Sequence, residues 1–160
     1  MGYRTRDEMA ALLAAPDRSH WVGRRDHALL LTRYHRGARV SEITARRRAQ
    51  VGCGATTFLD LHGTGRTERT VPLWPQTSRV LQAWCREEGA AADQLAFPNA
   101  RGTPLTRHGV MYLLQQVVHV ATTAGPSLRT KTVSPHVIRQ NPAYLLRSRS
   151  MAKRGGALAW

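Results

Sequence analysis

Lysine is almost missing from this chain. Only Lys131 and Lys153 stand among its 24 basic residues, so 22 are arginine. Carboxylates are also scarce, ten in all, and the last of them is Asp93. Aromatic residues make up 6% of the 160 positions. No run of about 18 apolar residues exists, which excludes a hydrophobic transmembrane helix. MGYRTRDEM at the start has no apolar stretch of the secretory kind, so a cytoplasmic location is the expectation. Cysteine is limited to Cys53 and Cys85. They lack metal-ligand spacing, and two reduced thiols are expected. There is no His-Glu-x-x-His, no Walker glycine loop and no Gly-x-Ser-x-Gly elbow, so zinc hydrolysis, nucleotide cradling and serine hydrolysis have no sequence support. The pair Gly63 and Gly65 alone does not make a phosphate cradle.

What is present is positive charge. Twenty-four bases less ten acids leave +14. Residues 1–93 carry 15 bases and ten acids, and residues 94–160 carry nine bases and no acid. A half-chain without carboxylates suits a polyanion, and the planar arginine fork can hold two phosphate oxygens at once. Double-stranded DNA is the expected partner. A solvated basic surface without a partner is the plainer alternative. With 42% hydrophobic residues the chain can bury a core.

The order of elements reads as mainly helical with a small antiparallel β-hairpin. Thr5 and Glu8 form a capping box for a short helix through Met9, Leu12 and Leu13 that stops near Pro16. A second helix is expected from about Gly23 to Tyr34, closed by Gly37. Arg39 follows, and Val40-Ser-Glu-Ile-Thr opens another helix. Arg46-Arg-Arg48 reads as a basic run on its exposed end, either a solvated face or a phosphate contact. Residues 57–62 and 69–73 alternate like strands. A helix follows from about Gln76 to Glu88, with Val80, Leu81 and Trp84 on one face. Phe97 to Pro104 is rich in turn residues. Thr106 caps a helix whose stripe Val110, Leu113, Leu114, Val117, Ala121 reads as core. Tyr34 and Tyr112 read as core or interface. Ser134 caps a last helix with Pro135 at its first position, which puts His136 and Arg139 on one face.

Arg39 within Gly-Ala-Arg-Val-Ser-Glu42, the hairpin ending Glu-Arg-Thr-Val-Pro-Leu73, the turn Leu-Ala-Phe-Pro98, the start Pro-Leu-Thr106 and the box Pro-His136-Val-Ile-Arg139 occur in that order. Each is weak alone. Together they resemble the catalytic domain of the tyrosine recombinases, the phage-type integrases, over about Thr5 to Arg139. The resemblance implies an α+β catalytic core that cuts and rejoins DNA through a phosphotyrosyl link, without metal or other cofactor. It implies that Arg39 and Arg139 clamp the scissile phosphate and that His136 donates a hydrogen bond or moves a proton. Arg46, Arg47, Arg66 and Arg107 are candidate DNA contacts. Self-association is a family property that this chain is not expected to keep.

Three departures set the remaining expectations. Where the family has a hairpin lysine as general acid, this chain has Thr64, which cannot titrate usefully. After Arg139 the chain continues Gln-Asn-Pro142. Pro142 is costly inside a helix unless Asn141 caps a new one. Residues 140–160 are therefore expected to be a divergent, frameshift-like tail after an incomplete catalytic domain at 1–139. Tyr144 reads as a packing residue, and the nucleophilic tyrosine is expected to be missing. Two readings stay open: a recombinase domain, or an inactive DNA-binding remnant.

Overall fold

In the computed structural model, residues 6–36, 39–52, 58–62, 68–87 and 93–124 are described. Helix α1 (Arg6–Ala14) places Met9 and Leu12 inward and ends ahead of Pro16. Asp17 then builds the turn into the next helix. Its Oδ1 accepts from the Ser19 main-chain N–H at 3.0 Å and from the Ser19 hydroxyl at 2.6 Å. These two bonds hold the Asp17 carboxyl below its ordinary value.

Helix α2 (Trp21–Arg36) starts two residues ahead of its expected position. His20 supplies the carbonyl that Arg24 N–H reaches at 3.1 Å, so the helix is entered directly from the Asp17 turn. Gly23 is required there. A Cβ at this position would stand 1.7 Å from the Asp17 carbonyl oxygen. Every residue from Ala28 to Tyr34 is buried, as expected for a helix covered on all sides. Helices α1, α3 (Val40–Thr44) and α4 (Pro75–Glu87) pack around it. Thr32, buried among apolar neighbours, satisfies its hydroxyl on Ala28 O at 2.7 Å.

After α3, a single 3-10 turn (Arg48–Gln50) leads into a three-stranded antiparallel sheet in the order β1-β2-β3. Strands β2 (Phe58–His62) and β3 (Glu68–Pro72) form the expected hairpin, in register from Phe58–Pro72 to His62–Glu68. The short β1 (Val51–Gly52), which the sequence pattern did not show, pairs Val51 with Leu59.

Helix α4 buries Leu81 and Trp84. The Trp84 indole N–H donates to Ala96 O at 2.8 Å, and its ring packs on Trp21 with centroids 5.5 Å apart. Arg25 lies over Trp21, binds Asp26 through Nε at 2.9 Å and Nη2 at 2.7 Å, and donates to Pro98 O at 3.1 Å. Burial raises the Asp26 carboxyl above its ordinary value, and the Arg25 guanidinium opposes that shift. This cluster fastens residues 96–98 to α2 and α4. On the surface, Arg24 pairs with Glu87 across α2 and α4 at 2.6 Å.

Asn99 closes the following turn. Its Oδ1 accepts from the Arg101 and Thr103 N–H groups at 2.9 Å each, and Gly102 takes φ 78°. Helix α5 (Arg107–Ala124) is capped as expected: Thr106 Oγ1 accepts from Gly109 N–H at 3.0 Å. Its stripe Val110, Leu113, Leu114, Val117, Ala121 is buried and meets α1. Tyr34 lies in the core. Tyr112 does not, being 64% exposed, because it sits about 200° around the helix from Val110. Cys85 is disulfide-bonded, which corrects the expected thiol. The expectation drew on cell compartment and sequence spacing, and neither reports spatial proximity. Cys53 lies outside the described residues.

Candidate phosphate site around Arg39

Arg39 stands at the entry to α3 with extended backbone, φ −70° and ψ 153°, and an exposed side chain. The sequence explains how it is held. Glu42, three residues on, reaches back so that its Oε2 accepts the Arg39 N–H at 2.7 Å. In turn the Arg39 carbonyl accepts from Glu42 N–H at 3.0 Å and Ile43 N–H at 3.2 Å. Ile43 is fully buried and anchors the turn to the core. The backbone of Arg39 is thus fixed at both its N–H and its carbonyl, while the guanidinium is left toward solvent.

The basic run beyond α3 is not a uniform exposed face, and the expectation is corrected there. Ala45 ends the helix, and from Arg46 the chain runs extended beside residues 94–96. Ala96 N–H donates to Arg46 O at 2.8 Å and Arg48 N–H to Gln94 O at 2.8 Å, around an antiparallel bridge between Arg47 and Leu95. Side chains alternate along an extended segment. Arg46 therefore points inward, is 8% exposed, and donates through Nε to Glu42 O at 2.7 Å. Arg47 is exposed and donates to Asp93 O. Arg48 is half-buried. Arg107 is exposed at the first position of α5. Among the expected site residues, the structure joins Arg39, Arg46 and Arg47 through one turn of helix. Thr5, Thr64, Arg66, Lys131, His136, Arg139 and residues 140–160 lie outside the described residues.

Sequence reading did not give Glu42 and Ala96 their structural parts. Glu42 was legible as the third residue of a helix start. Ala96 carries no signal, because its contribution is a main-chain bond from a distant segment. Among the described residues, no group of three or more His, Cys, Asp or Glu could hold a metal, and no helix is long and apolar enough to cross a membrane. The site offers an exposed guanidinium on a fixed stretch of backbone for an anionic oxygen.

Comparison with known proteins bears on the family and the fold. Residues 3–154 match the model of the phage integrase family. The integrase/recombinase y4rC of Sinorhizobium fredii is 43% identical over 143 residues, which cover 89% of this chain and 43% of that protein. Tyrosine recombinase XerD of Ralstonia nicotianae is 33% identical over 82% of this chain and 42% of its own length. The chain spans less than half the length of these two relatives. Among solved structures, the XerA recombinase superposes with a TM-score of 0.73 at 19% identity, over 98% of this chain and 53% of the other. The XerH site-specific recombinase bound to its difH substrate gives 0.74 at 20% identity, over 93% of this chain and 44% of the other. The mainly helical fold with its small antiparallel sheet is the one these recombinases share.

Proposed function

This chain belongs to the phage integrase family, and from that membership we propose that it serves in site-specific cleavage and rejoining of DNA strands in the cytoplasm. The observation that carries the reading is Arg39. It is an exposed arginine, locked through its own backbone by Glu42, within the Gly-x-Arg-x-Ser-Glu pattern of the family. In the proposed step a tyrosine hydroxyl attacks a backbone phosphorus. The bond to the 5′-oxygen breaks as the new O–P bond forms. The tyrosine proton goes to a base, and the leaving 5′-oxygen receives one. The five-coordinate phosphorus carries more negative charge on its non-bridging oxygens than the diester does. Groups that bind this extra charge lower the barrier. Arg39 and Arg139 would clamp these oxygens, with His136 donating a hydrogen bond or moving a proton. Arg47, Arg66 and Arg107 would hold flanking phosphates, which fix register without reading sequence. The ester stores the bond energy, so the step calls on no nucleotide.

Thr64 favours a second reading, in which the chain binds DNA and does not cut it. A threonine at that place cannot protonate the leaving oxygen, and loss of a general acid costs about a hundredfold or more in rate. Incubation with a nicked duplex, from which the cleaved piece escapes, separates the two. A protein–DNA band that survives a denaturing gel and disappears in Arg39→Ala supports cleavage. A salt-sensitive mobility shift with no covalent band supports binding alone. Neither band nor shift would overturn both.

A further inference from the structure

Arg46 is an arginine where the fold leaves almost no water, and its bonds lead to Arg39. Its main-chain N–H goes to Ile43 O at 3.1 Å, three residues back. In a continuing helix that N–H would serve the carbonyl of Glu42. That carbonyl instead takes its donor from the Arg46 side chain, with Nε at 2.7 Å. Glu42 is also the residue whose carboxylate holds the Arg39 N–H at 2.7 Å. On the other side, the Arg46 carbonyl accepts Ala96 N–H at 2.8 Å, and the Ala96 carbonyl accepts the Trp84 indole at 2.8 Å. Four hydrogen bonds therefore run from α4 through residues 96, 46 and 42 to Arg39.

Helix α3 is five residues long, too short to hold its own shape. The buried Ile43 fixes it on one side, and the bonds at its two ends fix the rest. We infer that Arg46 is a positioning residue: its guanidinium ties α3, through Glu42 O, to a main chain that is itself bonded to residue 96, and so sets where the Arg39 guanidinium stands toward a DNA phosphate. The inference rests on the reading of Arg39 given above. It replaces a direct phosphate contact for Arg46 with an indirect one, since a side chain bonded inward at 8% exposure is turned away from a duplex. A leucine of similar reach could fill the space but could not donate to Glu42 O.

The test is a double-mutant cycle on the full chain. Affinity for a labelled random-sequence duplex is measured by anisotropy at low salt. Arg46→Gln is made in the parent and in Arg39→Ala, with melting temperatures recorded. In the parent, affinity is expected to fall about tenfold, the worth of a hydrogen bond to a charged group. In the Arg39→Ala background the same change is expected to cost less than about twofold, because nothing is left to position. Arg46→Lys keeps the charge without the Nε geometry and is expected to fall with Arg46→Gln. It also carries the cycle if the glutamine variant does not fold. Equal losses in both backgrounds, or full rescue by lysine, would overturn the inference and leave Arg39 as a phosphate contact. No effect of Arg39→Ala would instead remove the reading on which the inference rests, and the inference with it.

Discussion

At the scale of single residues, two glycines separate two reasons for glycine. Gly102 sits at φ 78° with open space where a Cβ would go. Gly102→Ala is expected to cost about 1 kcal/mol, all of it backbone conformation. Gly23 sits in ordinary helix, yet a Cβ there meets the Asp17 carbonyl at 1.7 Å. That neighbour is backbone, held in a turn by the Ser19 bonds, and cannot swing aside. Gly23→Ala would gain helix propensity in an isolated peptide. In the folded chain it is expected to lose about 1–3 kcal/mol, as overpacking does. Urea unfolding of both variants checks the ranking, and a Gly23→Ala more stable than the parent would contradict the contact. Sequence alone marks both glycines as turn or helix-end signals, because the Asp17 carbonyl above Gly23 appears only once the loop is folded back.

At the scale of elements, the apolar periodicity carried α4 and α5 nearly whole. The α5 stripe from Val110 to Ala121 is buried as written in the chain, and Thr106 caps it. The hairpin was legible from alternation, whereas β1, two residues long, gives no period to read. The arginine run shows what a linear pattern leaves out. Three adjacent arginines look like one charged face, but an extended backbone sends neighbours to opposite sides. The bridge to Leu95 that makes it extended comes from a segment far along the chain. Arg39 was legible from its motif, and its anchoring through residue 96 was not. That segment is tied down by Trp84, which yields a further prediction. Trp84→Phe keeps most of the apolar contact with Trp21 and removes the donor to Ala96 O. A buried carbonyl without its partner costs about 1–3 kcal/mol, so this much loss is expected in chemical denaturation. DNA affinity is expected to fall as well, since the hydrogen bonds that end at Arg39 begin here. Unchanged affinity at reduced stability would detach the Trp84 bond from the site.

At the scale of the whole molecule, pH and salt act on different charges. His27 joins α1 to α2 by donating from Nδ1 to Leu13 O at 2.8 Å. Burial lowers its pKa from 6.5, and the bond to Leu13 offsets this only in part. The folded state therefore holds His27 neutral where the unfolded chain protonates it. Its contribution to stability is full above 6.5 and is lost as pH falls through the lowered folded value. Asp26 has the opposite sign. Its pKa is raised by burial, so its share is full below 3.8 and lost as pH rises through the folded value. In the window that opens as pH falls below 6.5, His27 loses its contribution while that of Asp26 can only return, so comparison with a His27 variant isolates the imidazole. Stability measured across that window should decline in the parent and decline less in His27→Gln, and equal slopes would sink the assignment. Salt addresses the surface instead. The net charge is +14, and residues 94–160 carry no carboxylate to repel a duplex. Each phosphate contact contributes about −0.9 to the slope of log affinity against log salt. Arg39→Ala and Arg47→Ala are each expected to flatten that slope by about one. Arg46→Lys, which acts through Arg39, is expected to leave the slope unchanged when it is added to Arg39→Ala. A further flattening in that background would return Arg46 to the DNA surface.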